Sequence, residues 1–450
     1  MKENDMLKGS VGKSLILFAL PMILGNLFQQ FYNMVDSIVV GRFVGEEALA
    51  AVGASYSLTT VFIMIAIGGG MGASVLTSQY LGAGEYGKMK TSIYTALLTF
   101  LGLSIVLTMF GLVFNPAILS ALKTPENIFA DAVLYLQIYF MGLPFLFMYN
   151  IFSSTFNALG ESRIPLYFLI FSSILNVFLD LAFVLIFGMG VAGVAIATVI
   201  AQGVSAVISF AVLMRRLKSY REKEEEKVPL YDVDMLRRGT AIAIPSIIQQ
   251  SIVSIGMLLV QSVVNSFGSA ALAGYSAGMR VESFCIVPMI STGNAVSTFT
   301  AQNLGARQVE RVRKGYRASY GIVFAMAVLI CLLLQAGHDL VISAFIDAGK
   351  GAEAFSVGNG YVTFISWFFV LIGLKACTDG VLRGAGDVKV YMLANLVNLA
   401  IRVLVANLCA PVFGIQAVWY AVPMGWAANY LISGIWYLTG RWTKKKIISG

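Results

Sequence analysis

Charge is scarce in this chain: Asp, Glu, Lys and Arg together supply only 12% of its 450 residues. A soluble domain carries about twice that share, so an ordinary water-soluble globule is excluded. Histidine occurs once, as His338, which removes a His-based catalytic apparatus and a His metal cluster from consideration. Cys285, Cys331, Cys377 and Cys409 stand far apart, and no Cys/His spacing suits a metal site. No GxxxxGK[ST] loop is present, which speaks against drive by ATP. No nucleophile–base pair is evident either, and the chain is expected not to be an enzyme. Polar runs long enough for a soluble domain are missing. The longest is 215–238, "RRLKSYREKEEEKVPLYDVDMLRR". A cleavable signal peptide is not expected, because "MKENDMLKGSVGK" is polar and the apolar run after it is too long for a signal core.

What the chain has in abundance is apolar sequence, at 58%. It comes in stretches of about 20 residues or more, the length that crosses a bilayer as a helix. Twelve spans are predicted near 14–40, 48–72, 91–115, 131–157, 164–187, 190–214, 239–266, 271–300, 316–338, 355–379, 388–410 and 415–438. The net charge of +8 does not point to nucleic acid. Lys and Arg gather in every second loop, at the N-terminus, 88–90, 215–238, 307–317 and 441–446, the pattern of loops retained in the cytoplasm. Both termini are therefore expected in the cytoplasm, and the chain in a bacterial-type plasma membrane.

The two halves echo each other. "ALAAVGASYSLTTVFIMIAIGGGMGASVLTSQYLGA" (48–83) aligns without a gap to "ALAGYSAGMRVESFCIVPMISTGNAVSTFTAQNLGA" (271–306). "FALPMILGN" (18–26) echoes "IAIPSIIQQ" (242–250), setting Pro21 against Pro245, and "NALGESRIP" (157–165) echoes "RGAGDVKVY" (383–391). The predicted fold is thus all-α and integral to the membrane: twelve transmembrane helices in two pseudo-symmetric six-helix bundles. The predicted domains are an N-lobe at 1–214, a charged linker at 215–238 and a C-lobe at 239–450. Repeats of one orientation place a transported substrate between them.

Ionisable groups inside spans are functional candidates by default. Asp36 ends the first span, and an interfacial cap is the plainer alternative, since Arg42 and Glu46 follow closely. Asn176 and Asp180 stand four apart in "SSILNVFLDLAFVLIFG" and share one helix face. An amide there can be interhelical glue as readily as an ion ligand. Thr198 lies in the sixth span. The second half does not repeat these acids: it carries Arg280 with Glu282, Lys375 with Asp379, and Arg402. Lys375/Asp379 reads as a structural salt bridge, and Glu282 stays open as a substrate or proton group. "GAGEYG" (82–87) fits GxGxxG but follows a membrane helix, so it reads as a turn between helices. "GGGMG" (68–72) permits close helix packing.

Taken together, "LPMILGNLFQQFYNMVDSIVVGRFVG", "SQYLGA", "AQNLGA", "NALGESRIP" and "LNVFLDLAFVLIFGMGVAGVAIAT" resemble the multidrug and toxic compound extrusion (MATE) transporters, over essentially the whole chain. The likeness is strongest to the DinF-like branch, whose coupling-ion site lies in the N-lobe. The resemblance implies cation coupling by Asp36, Asp180, Asn176, Asn157 and Thr198. It also implies bending of the first helix at Pro21 and a substrate cavity reached by Gln29; Glu282 is added to that cavity from the reading above. It implies no cofactor, only a coupling ion, H⁺ or Na⁺. No metal is expected beyond Na⁺ at that site. The partners expected are small organic cations or drugs and the lipid bilayer, with no nucleic acid, and the chain is expected to be a monomer. In another branch an acid precedes the LRG loop of the tenth helix. Counting back from "LRGAGD" lands near Ile372, so a C-lobe cation site of that kind is not expected. The resulting expectation is secondary active antiport of lipophilic cations by alternating access. A dedicated exporter of one metabolite and a lipid-linked precursor flippase are the rival readings.

Overall fold

A chain in hydrocarbon must satisfy its backbone hydrogen bonds within each segment, and helices do so. The computed structural model describes residues 6–39, 43–220, 228–346, 351–445 and 448, and helices dominate throughout, with no strand among the described residues. In chain order they are α1 (Val11–Val39), α2 (Glu46–Ala83), α3 (Tyr86–Ala121), α4 (Glu126–Met141), α5 (Leu143–Ala158), α6 (Arg163–Leu181) and α7 (Gly190–Leu217). The second half continues with α8 (Val233–Asn265), α9 (Ser269–Cys285), α10 (Val287–Gly305), α11 (Val309–Ser343), α12 (Ala352–Ser366), α13 (Phe369–Gly384), α14 (Val388–Phe413) and α15 (Gln416–Leu438).

Eight of these helices are individually long and apolar enough to cross a membrane. Three spans are instead broken pairs: α4 with α5, bent by 50°; α9 with α10, by 40°; α12 with α13, by 55°. Together they make up to eleven spans among the described residues, and α15 lies where the sequence predicts the twelfth. The sequence reading took the three broken spans as single helices. Two breaks have a visible cause. Pro144 and Pro288 stand at the start of α5 and α10, where a missing N–H costs nothing but the preceding helix cannot continue straight. The third, at Trp367–Phe368, has no proline.

The "GAGEYG" segment is the turn expected of it. α2 stops at Ala83, Gly84 takes a left-handed conformation with φ 76°, and α3 starts two residues later. At the matching position of the second half stands Arg307, also left-handed at φ 59°, where a side chain is strained.

The helices cluster into two compact units, Leu24–Ile247 and Met1–Ile23 with Ile248–Gly450. In the first, "GGGMG" lets neighbouring helices in close. A Cβ on Gly68 would meet Ile247 at 2.7 Å, one on Gly69 the Phe100 ring at 1.9 Å, and one on Gly72 the Gly239 carbonyl at 2.7 Å. In the second, an apolar core gathers Tyr275, Met289, Tyr361, Phe369, Val418 and Trp426. There Gly293, Gly380 and Gly384 line the seam between α10 and α13. The N-terminal residues dock on the same unit. Asn303 of "AQNLGA" donates to the Met6 carbonyl at 3.1 Å, and Arg311 donates to the carbonyls of Lys8 and Gly9 at 2.8 and 2.9 Å.

Candidate functional site

The acid predicted in the fifth span is fully buried. Asp180 is 0% exposed and Asn176, one turn earlier, 2%. Asp180 sits where α6 ends and the backbone loosens into a π-helical turn at Ala182–Ile186. Such turns leave local backbone geometry adjustable and recur at functional sites. From α7, Thr198 faces the same amide: its hydroxyl donates to the Val194 carbonyl at 3.1 Å and lies 3.3 Å from Asn176 Nδ2. From α1, the Tyr32 hydroxyl is hydrogen-bonded to the Asn176 side chain. Turning the amide satisfies both of its ends. Its nitrogen then donates to Tyr32 and, at 3.3 Å, to Asp180 Oδ2, while its oxygen accepts from the Thr198 backbone N–H at 3.0 Å.

Asn176, Asp180 and Thr198 therefore come together, as the i, i+4 spacing and the family likeness suggest. Tyr32 is the member that the sequence reading missed. Its signal was available: it stands one helical turn before Asp36 on α1. Tyr32, Asn176, Asp180 and Thr198 together offer carboxylate, amide, hydroxyl and phenol oxygens, and none of the four is basic. That chemistry suits a proton or a hard cation.

The other candidates are placed as follows. The Asp36 side chain lies outside the described residues, although its backbone continues α1. Asn157 is on α5, with its Oδ1 buried and without a hydrogen-bond partner among the described residues. No described bond joins it to the Asn176 group. Gln29 bonds Asn33 at 3.0 Å along α1. Pro21 is buried within α1, which runs through it as one helix. Glu282 belongs to the other unit, on α9, buried at 5% exposure and accepting a hydrogen bond from the Tyr361 hydroxyl.

The second half handles its buried charges differently. Lys375 meets Asp379 at 3.1 Å, the predicted salt bridge. Asn395 donates to Asp379 Oδ2 at 3.2 Å and Ser433 to Oδ1 at 2.8 Å, so both carboxylate oxygens are engaged. Arg383 is held by Asn294 at 2.6 Å and Ser297 at 3.1 Å. A cavity of about 470 Å³ opens elsewhere in the first unit, beside Val44, Asp131 and Gly188–Ala192. None of the predicted site residues lines it, and its one acid, Asp131, has no amide or hydroxyl among the lining residues to share a cation.

Known proteins resemble this chain along its whole length. The MatE family model matches residues 21–182 and again 245–408, one copy in each half. The chain is 29% identical to the probable multidrug resistance protein YpnP of Bacillus subtilis, over the full length of both. It is 25% identical to the FAD transporter of Shewanella oneidensis, over 91% of this chain and 88% of that one. Among solved structures it matches a crystal structure of MATE in the bent conformation, with a TM-score of 0.90 at 21% identity and full coverage of both chains.

Proposed function

The chain belongs to the MatE family of multidrug transporters, and from that premise we propose that it exports organic cations in exchange for H⁺ or Na⁺. The observation that carries this reading is the buried Asp180–Asn176–Thr198 group with Tyr32. A buried carboxylate is stable when neutralised by a proton or paired with a cation, and costly when bare. Asp36 is assigned to the same work, from the next turn of α1 beyond Tyr32. An ionised pair attracts a cationic drug; neutralising the pair from the opposite side of the membrane releases it. Export then follows from competition for one charged state, with the two-state element supplied by bending of α1 at Pro21. Asn157 is assigned to the same cation-coupling group, and Gln29 to the substrate cavity.

The setting proposed for this cycle is an N-lobe of 1–214, a linker of 215–238 and a C-lobe of 239–450. The chain works as a monomer in the plasma membrane, with both termini cytoplasmic, on the charge asymmetry of its loops. A narrower reading, export of a single metabolite, draws support from the relative named as an FAD transporter.

The test is ethidium efflux from proteoliposomes under separately imposed H⁺ and Na⁺ gradients, for wild type, Asp36→Asn and Asp180→Asn. Efflux driven by one gradient and lost in both variants is expected, and names the ion. Full gradient-driven efflux by Asp180→Asn would remove the carboxylate from the coupling step. No efflux by wild type under either gradient would favour the single-metabolite exporter.

A further inference from the structure

In the second unit the start of α11 meets the end of α15. The Tyr316 ring of α11 lies 4.0 Å from the Tyr437 ring of α15. After Leu438 the chain makes a short 3₁₀ turn, Arg441–Lys444, and Trp442 of that turn stacks on Tyr437 at 5.3 Å. The turn is fixed in place. The Trp442 indole is 1% exposed and donates to the Tyr437 carbonyl at 3.0 Å. Lys445 pairs with the buried Asp387 at 3.3 Å, and Trp436 donates to the same carboxylate at 2.7 Å.

This anchoring gathers cations along one rim. Arg313, Lys314 and Arg317 stand beside Tyr316 on α11, Arg441 and Lys444 beside Trp442, and all five are exposed. Two acids stand beside them, and both are engaged: Glu310 holds Arg313 at 2.9 Å, and Asp387 holds Lys445. Lys314, Arg317 and Lys444 make no hydrogen bond or ion pair with a described residue. The Arg441 guanidinium lies over the Trp436 ring at 5.3 Å. The corresponding ends of the first unit answer two of their cations with acids: Lys88 pairs with Glu85 at 2.7 Å, and Arg216 with Glu161.

Apolar surface runs down from the rim. Leu438, Ile435 and Leu431 are 82%, 64% and 59% exposed, and their spacing of three and four sets them on one face of α15. That stripe starts just below Arg441 and descends about 10 Å. On α11, Phe324 and Val328 are exposed two and three turns beyond Arg317. Cations above and apolar stripes below match an amphiphile with an anionic head.

We propose that the rim of Arg313, Lys314, Arg317, Arg441 and Lys444 binds the headgroup of an anionic phospholipid, whose acyl chains lie along α11 and α15. A zwitterionic lipid brings its own ammonium beside the phosphate and is attracted less. Free phosphate shares the charge but leaves the apolar stripes uncovered. The proposal takes from the transport reading only the cytoplasmic placement of these helix ends, in the leaflet whose anionic lipids attract basic segments. Binding itself is read without transport.

The experiment uses native mass spectrometry of the purified full-length chain in detergent. It is titrated with dioleoyl phosphatidylglycerol and, separately, dioleoyl phosphatidylethanolamine, so that only the headgroup differs. Phosphatidylglycerol is expected to bind about tenfold tighter or more, the scale of two or more cations acting on one anionic head. Arg317→Gln/Arg441→Gln removes one cation from each helix end and is expected to abolish most of that preference. Arg215→Gln/Lys218→Gln removes the same charge from the end of α7 and is expected to leave the preference unchanged. Equal binding of the two lipids by wild type overturns the proposal. So do equal losses in the two double variants, which reduce the effect to net charge, and full competition by inorganic phosphate, which makes the rim a free-anion site. Should Arg317→Gln/Arg441→Gln fail to fold, Lys314→Gln/Lys444→Gln carries the test, and an undiminished preference there overturns it. A lipid preference that persists without ion-driven ethidium efflux would retire the antiport reading and leave this surface standing.

Discussion

Asp180 and Asp379 are both buried acids on membrane helices, and they keep different company. Asp379 has a lysine, an amide and a hydroxyl bound to it, and the lysine is built into the same helix. The group around Asp180 supplies an amide, a hydroxyl and a phenol, with no lysine or arginine among its members. A carboxylate with its countercharge built in has one stable state. A carboxylate among neutral oxygens has two, bare and neutralised, and a mobile cation can choose between them. The proposed coupling role of Asp180 and the structural role of Asp379 rest on that difference in described partners.

The sharpest way to break this comparison is to exchange the effects. Asp180→Asn should reduce gradient-driven ethidium efflux to background while the apparent melting temperature in detergent stays the same or rises. Asp379→Ala should do the reverse in kind: it strands Lys375 in the interior and should cost about 3–5 kcal/mol of stability, read as poor folding and early melting. The double variant Lys375→Met/Asp379→Leu should recover much of that loss, because a matched apolar pair replaces a matched ionic one. If Asp379→Ala instead melts normally and loses ion coupling, the two acids do the same job and the distinction collapses.

The packing seams offer a milder contrast. Gly69→Leu drives a side chain into the Phe100 ring and should destabilise the first unit by about 1–3 kcal/mol, by thermal unfolding in detergent. Tyr32→Phe sharpens the site itself: it removes one hydrogen bond to Asn176 and should weaken the ion dependence of efflux about fivefold, the scale of ~1 kcal/mol. The smallest effect is at the paired turns. Arg307→Gly relieves a left-handed arginine and should raise stability, while Gly84→Ala introduces the same strain and should lower it by about 1 kcal/mol. Opposite signs at two matching positions would show that the repeat shares a backbone but not a residue choice.

Much of this was legible in the residues. Span positions follow from hydropathy, because a bilayer allows few alternatives. The Asn176–Asp180 pair follows from helical spacing, and the Lys375–Asp379 bridge from the same rule. The three broken spans were not read, although Pro144 and Pro288 marked two of them; hydropathy windows run straight across a bend that keeps both arms apolar. The break at Trp367 has no local mark. Tyr32 was missed because a tyrosine in a membrane helix draws no notice until something across the bundle reaches its hydroxyl.

The division of α1 between units has a consequence for how the protein is made. Residues up to Ile23 cluster with 248–450, and residues up to Ile247 cluster with the first half. The first half of α1 therefore belongs to a unit that only the second half of the sequence completes, and must be held in the membrane until residues beyond 248 are made. A gene cut within 215–238 would yield two polypeptides, neither containing a whole unit. The first would lack the strip at Gly239–Ile247 that closes over Gly68 and Gly72, and the second would lack the Met6 carbonyl that Asn303 and Arg311 grip. Each fragment would be an orphan for the quality-control proteases, and only co-production would rescue both.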